Sequence, residues 1–314
     1  SIGCLLQSEG LILAESSQLP AFLIIGGDGL IGSALVQKIR ADTYPVYATS
    51  RHPAVGQDVF QFDLAGKTEN LVLDPGISAF TERSQLISVI AAAVTGIAEC
   101  ARDPQGSRHV NVTNTVNLAR ELMVLGSAVV FISSNAVFSG EALYPMDSAA
   151  TDPITDYGRQ KAEAEKSLLA MHADMPDAPP LMVVRLTKVV AKTLPLIANW
   201  IGRLQTGKQI DAFNDRFFSP ISLRHTVESL IKIGRSGRSG IYHVTGSRDL
   251  TYYDFAQFLA ASLGVSSDLV NPVAADAKII GLVQKHSALG QTNASLALSL
   301  IPEEPEGAIK RLHL

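Results

Sequence analysis

Cysteine is all but missing from this chain of 314 residues. Cys4 and Cys100 cannot make a disulfide framework or a zinc cage, so a reducing, cytoplasmic setting is expected. Charge is scarce as well. Charged residues make up 18% and the net charge is −4, which gives no electrostatic case for nucleic acid or an anionic membrane surface as partner. No apolar run approaches the ~20 residues of a membrane span. The histidines (His52, His109, His172, His225, His243, His286 and His313) show no metal-ligand spacing, so no metal is expected. Gly-x-Ser-x-Gly is absent and leaves an α/β-hydrolase unsupported. No Gly-Lys-Ser/Thr follows the glycine-rich turn near the N-terminus, which excludes a P-loop.

What the chain has is apolar content, 46%, and enough length to bury a core without staples. From Pro20 onward strand and helix signals alternate. AFLIIGG (21–27), PVYATS (45–50), VFQFD (59–63), LISVIAAA (86–93), AVVFISS (128–134) and LMVVRLT (181–187) read as strands buried on both faces. After the first strand, Ile31, Leu35 and Ile39 recur at helical spacing. Residues 109–125 and 153–171 read as further helices, the second with Asp152 as N-cap and Pro153 at the first position. Alternation of this kind predicts an α/β fold with a doubly wound, mostly parallel sheet of Rossmann type. Beyond about residue 188 it loosens, which predicts a nucleotide-binding domain over 20–187 and a smaller substrate lobe over 188–314. Residues 1–19 hold no basic residue, so they do not read as a secretory signal and are expected to form an N-terminal extension.

The first chemical signal is Gly26-x-x-Gly29-x-x-Gly32, between the first strand and the first helix. Gly26 permits a tight turn, Gly29 lets the backbone approach a pyrophosphate, and Gly32 lets the helix pack closely on the sheet. Leu30 and Ile31 complete that turn. The helix N-terminus offers free N–H groups and the positive end of its dipole to phosphate.

A second signal is Tyr157-x-x-x-Lys161, two side chains on one helix face. A phenol near pKa 10 is a poor acid–base group at neutral pH, and a neighbouring ammonium favours its ionised form. An exposed tyrosine beside a solvated lysine would show the same spacing.

The glycine spacing, with the segments that follow, resembles the extended short-chain dehydrogenase/reductase family. Asp63-Leu64 is similar to the pair that family uses at the adenine ring. Ala91-Ala92-Ala93 resembles its small-residue wall beside the cofactor. NVTNTVNLAR (111–120) is similar to its Asn-Val-x-Gly-Thr-x-Asn-Leu helix, with Asn114 where glycine is usual. YGRQKAEAEK (157–166) resembles its Tyr-Gly-x-x-Lys-x-x-x-Glu helix. Ser133-Ser134-Asn135-Ala136-Val137-Phe138 is similar to the segment carrying its catalytic hydroxyl, an alignment that selects Ser134 with Ser133 as runner-up. Within the family the likeness is greatest to the branch of dTDP-4-dehydrorhamnose reductases, through AAAVTGIAECARDP (91–104), SNAVFSG (134–140), FFSPISL (217–223) and GIYHVTG (240–246). The tail HSALGQTNASLAL (286–298) matches faintly. After Arg185 the usual Val-Tyr-Gly turn is replaced by LTKVVAK (186–192).

The resemblance implies an NAD(P)-dependent reductase acting on the keto group of a nucleotide-linked sugar. Ser134, Tyr157 and Lys161 would be catalytic, and Tyr157 and Lys161 would also touch the cofactor. It leaves open a sugar-nucleotide epimerase or dehydratase with bound NAD, a non-catalytic cofactor-binding subunit, and assembly as a homodimer. NADP is expected over NAD. The end of the second strand reads Ala48-Thr49-Ser50-Arg51-His52, with no carboxylate to take a ribose 2′-hydroxyl, while Arg51, helped by Ser50, can bind a 2′-phosphate.

Overall fold

Seven segments pair side by side, all parallel, and the central ones are buried along their length because helices cover both faces of the sheet. The computed structural model describes residues 19–53, 58–72, 77, 85–275 and 284–313. The central strands are β1 (Ala21–Ile25), β2 (Val46–Ser50), β3 (Val59–Gln61), β4 (Leu86–Ile90), β5 (Ala128–Ser134), β6 (Leu181–Leu186) and β7 (Gly240–Val244). Their order across the sheet is β7-β6-β5-β4-β1-β2-β3. This is the doubly wound α/β architecture expected from the alternation.

Period-two alternation sorts each strand between two cores. Phe22, Ile24, Ile87, Val89, Val130 and Ile132 face one layer, where helices α1 (Leu30–Ala41) and α4 (Leu223–Arg235) bring Leu35, Ile39, Leu230 and Ile233. Leu23, Ile25, Leu86, Ile90, Val129 and Phe131 face the other, against Leu118 and Leu122 of α2 (Thr115–Val124) and Ala164 and Leu168 of α3 (Asp156–Ala173). A third core gathers Trp200, Leu204, Ile210, Phe218, Phe255 and Leu259 beyond the sheet. The chain re-enters the central sheet after residue 188, through α4 and β7.

Several boundaries differ from the sequence reading for local reasons. The fourth strand stops at Ile90, because the amides of Ala91 and Ala92 both donate to the Ile25 carbonyl and turn the chain. Helix α3 begins at Asp156, not Pro153. Its N-cap is Thr155, whose hydroxyl accepts from the Gly158 amide. Asp152 is drawn away by Ser139, taking bonds from its amide at 2.8 Å and its hydroxyl at 2.5 Å. The helix expected over 109–125 starts as a π-helical turn, His109–Asn114, before becoming α2. Residues 1–18, with Cys4, lie outside the described residues. Among the described residues no helix is long and apolar enough to cross a membrane, and no group of three His, Cys, Asp or Glu side chains could hold a metal.

Candidate active site

The strand order reverses at β1, with β2 on one side and β4 on the other, and a crevice opens beyond the carboxyl ends of these strands. Gly26 follows β1 there at φ +85°, a backbone state that suits glycine. Its amide donates to Thr49 Oγ1 at 2.9 Å, pinning the turn to β2. Gly32 is required for another reason: a β-carbon there would sit 2.0 Å from the Gly26 carbonyl oxygen. Gly29 caps α1 with no side chain in the way, so the first amides of a twelve-residue helix face the crevice.

The crevice holds about 600 Å³. It gathers Gly26, Gly29, Leu30, Ile31, Gly32, Arg51, Asp63, Leu64, Ala91, Ala92 and Ala93 in one lining, from segments up to sixty-odd residues apart. An elongated dinucleotide fits these residues, since the glycine cradle stays open only without side chains and the alanines leave room beside it. Ser50, Ser134, Tyr157 and Lys161 do not line this volume.

The catalytic candidates meet one strand further along. Ser134 ends β5 half-buried, and its hydroxyl is close enough to the Tyr157 phenol to lower that group's pKa. The same oxygen accepts from the Ala136 amide at 3.1 Å and lies 3.3 Å from Asn135 Oδ1. Ser133 points the other way and donates to Glu165 Oε1 at 2.5 Å, buried. Adjacent strand residues face opposite sides, and the structure gives Ser134 to Tyr157.

Lys161 is 4% exposed, and its ammonium donates to the Ile132 carbonyl at 2.8 Å. It lies 4.6 Å from the centre of the Phe131 ring and 5.9 Å from that of Tyr157. Burial lowers its pKa to about 8, against the opposing pull of Glu165. Burial also pushes the Tyr157 phenol up to about 12, although the nearby Ser134 hydroxyl pulls it back. The sequence argument expected Lys161 to favour the phenolate. In this geometry desolvation dominates instead, and the phenol stays protonated at neutral pH.

Sequence reasoning missed the residues that hold these groups. Asn111 clamps the chain after β4: its Oδ1 accepts from the Val94 amide at 2.8 Å, and its Nδ2 donates to the Val94 carbonyl at 2.9 Å and to Gln160 Oε1 at 2.7 Å. Gln160 belongs to α3, so this clamp ties the crevice wall to the helix bearing Tyr157. Asn114, where the resemblance has glycine, donates to the carbonyls of Leu64 (2.7 Å) and Gly66 (3.0 Å) and so fixes the Asp63-Leu64 loop. Behind Lys161, Glu165 takes a forked ion pair from Arg185 at 2.7 Å, and Arg185 Nη1 lies 3.4 Å from His243 Nε2. Asp28 is the last omission. It lines the crevice, and its Oδ2 accepts from the Ser50 hydroxyl at 3.1 Å, so a carboxylate does stand at the end of β2. Asn111, Asn114, Gln160, Glu165 and His243 stand in segments quoted for the resemblance, but nothing in the sequence pointed to their partners or to Asp28.

A parallel sheet wound both ways from β1, with a glycine cradle at the switch point, defines a Rossmann-like protein of the dinucleotide-binding type. Residues 21–312 match the family model described as RmlD substrate binding domain, and the chain belongs to that family. It is 26% identical over 274 residues to a dTDP-4-keto-6-deoxy-D-glucose reductase of Streptomyces niveus, covering 86% of this chain and 88% of that one. A dTDP-4-dehydrorhamnose reductase of Aggregatibacter actinomycetemcomitans is 24% identical over 304 residues, covering 92% and 97%. Among solved structures, dTDP-4-dehydrorhamnose reductase from Bacillus anthracis str. Ames, in complex with NADP, superposes with a TM-score of 0.77 at 18% identity, covering 93% and 98%.

Proposed function

We propose that this protein is an NAD(P)-dependent oxidoreductase that reduces a keto group of a nucleotide-linked sugar. The observation that carries the reading is the gathering of Ser134, the Tyr157 phenol and the Lys161 ammonium at the end of β5, two strands from the glycine cradle. The names of the two relatives described above support the substrate class. In this reading residues 20–187, together with α4 and β7, which return to the central sheet, form the nucleotide-binding body, and the remainder of 188–314 forms a smaller substrate lobe, with the sugar held between them.

The amides at Gly29–Gly32 hold the pyrophosphate, Asp63-Leu64 border the adenine, and Ala91–Ala93 leave space for the nicotinamide side. When bound, the reduced nicotinamide supplies the hydride. Ser134 orients the sugar carbonyl by hydrogen bonding to its oxygen. Tyr157 gives that oxygen a proton, which its raised pKa keeps in place at neutral pH until the alkoxide develops. Lys161, held by Ile132, places a positive charge against the phenolate that remains.

Tyr157→Phe tests the assignment. Turnover of NADPH with a panel of 4-keto sugar nucleotides should fall by roughly 10²–10⁴-fold while nucleotide binding is kept. Parental turnover in that variant would refute it. Net consumption of NADPH separates a reductase from an epimerase, which regenerates its cofactor each cycle. Nucleotide binding with no turnover in the parent protein would favour the non-catalytic subunit.

A further inference from the structure

Residues 284–290 cross the turn that follows Ser134. Gly140, at φ +84°, lets them in: a β-carbon there would lie 2.5 Å from Gln284 Cβ and 2.7 Å from the His286 carbonyl oxygen. Asp249 ties the crossing down, its Oδ1 accepting from the amides of Ser287 at 3.0 Å and Ala288 at 2.9 Å. We propose that Gln284 is a positioning residue for the reduction, acting through Asn135 on the Ser134 hydroxyl. The proposal rests on the function proposed above and deepens it.

The orientation of each amide follows from its partners. Gln284 turns one end of its side chain to two backbone carbonyls, that of Asn135 at 2.9 Å and that of Phe138 at 2.6 Å. A carbonyl only accepts, so that end is Nε2 and the other is Oε1. Oε1 lies 2.8 Å from the Asn135 amide and needs a donor, so Asn135 presents Nδ2 to it. The same Nδ2 meets Ser287 Oγ at 2.8 Å. Asn135 Oδ1 is thereby turned back to the Ser134 hydroxyl, 3.3 Å away, which donates to it. Ser134 Oγ also accepts from the Ala136 amide at 3.1 Å, so its rotamer is held from two sides.

Gln284 decides this order. The Ser287 hydroxyl accepts or donates with equal ease, and its carbonyl lies 3.4 Å from Asn135 Nδ2. With Gln284 gone, a rotated Asn135 would set a donor against Ser134 Oγ, and the hydroxyl would lose its acceptor and turn. The bond from Ser134 to Asn135 is long, so it fixes the oxygen without a strong hold on the proton, which a sugar carbonyl can take over. Misplacing such an orienting group by about 1 Å lowers turnover by up to roughly 10²-fold.

The experiment is a double-mutant cycle in steady-state kinetics, with NADPH and a panel of 4-keto sugar nucleotides. Gln284→Met keeps the length and removes both hydrogen-bonding ends. It should lower kcat roughly 10- to 100-fold and leave sugar KM and NADPH affinity within about threefold. In a Ser134→Ala background the same substitution should cost less than about twofold, because the group it positions is absent. Gln284→Glu has the parent shape and serves if the Met protein does not fold. Its carboxylate faces the two carbonyls and should give the same loss, with the same dependence on Ser134. A kcat within about threefold of the parent, a loss confined to KM, or an equal loss in the Ser134→Ala background overturns the inference. If Ser134→Ala itself turns over like the parent, or the parent reduces none of the panel, the function proposed above falls and this inference with it.

Discussion

Replacing Lys161 by Met is the most demanding perturbation of the proposed chemistry. It removes the ammonium and keeps the volume of a side chain that is 4% exposed. The charge lies 5.9 Å from the centre of the Tyr157 ring. Coulomb's law at an effective dielectric of about 20 gives about 3 kcal/mol between that charge and a phenolate formed on proton transfer. Turnover should therefore fall roughly 10²-fold, with little change in sugar KM. The pH profile supplies a second readout. With Lys161 lowered to about 8, reduction by the parent should decline as pH rises through that value, because the ammonium is lost. The variant should show no decline there. Its thermal midpoint should hold, since a desolvated charge has been removed and Glu165 keeps its ion pair with Arg185. Steady-state rates from pH 6 to 10, beside melts of both proteins, measure all three quantities. A folded Lys161→Met protein with kcat within a factor of about three of the parent, and the same inflection near 8, would refute the reasoning.

Two further outcomes follow from the geometry. Gly32→Ala would place a β-carbon 2.0 Å from the Gly26 carbonyl, so titration should show nucleotide binding lost even where circular dichroism shows the fold retained. His243 is 2% exposed and held down to about 4 by burial, from 6.5, with its Nδ1–H donating to the Gly290 carbonyl at 2.7 Å. The unfolded chain takes up the proton first, so this stability is fully present above pH 6.5 and is lost as pH falls toward 4. Up to about 3 kcal/mol is at stake, and His243→Gln should flatten that part of a denaturant-derived stability profile.

The architecture and the cradle were legible because their signals are local. Gly26, Gly29 and Gly32 lie within seven residues, Tyr157 and Lys161 within one helical turn, and each strand carries its own buried run. The supports were not legible because each is a pairing across the chain. Asn111 meets Val94 and Gln160, Asn114 meets Leu64, and Ser133 meets Glu165 at a separation of 32 residues. No periodicity announces such pairs. Asp28 shows the same limit inside the motif itself. Read alone it fills a variable position between glycines, and only the folded turn sets its carboxylate against Ser50. The cap of α3 went to Thr155 for a similar reason: Asp152 is as good a cap by type, but Ser139 occupies it.

The place of β7 at the sheet edge has a consequence for how the chain is made. Its neighbour β6, Leu181–Leu186, is buried at every position, yet the strand that covers its outer edge ends at residue 244. On a ribosome adding ~5–20 residues per second, the open edge waits roughly 3–12 s for its partner. During that interval LMVVRL presents unpaired backbone and apolar side chains, the template on which neighbouring nascent chains aggregate. Helix α4, which covers the same sheet, emerges within the gap and shortens the hazard on one face only. Codon choice and chaperone access between residues 186 and 244 should therefore govern soluble yield more than any change in the finished site.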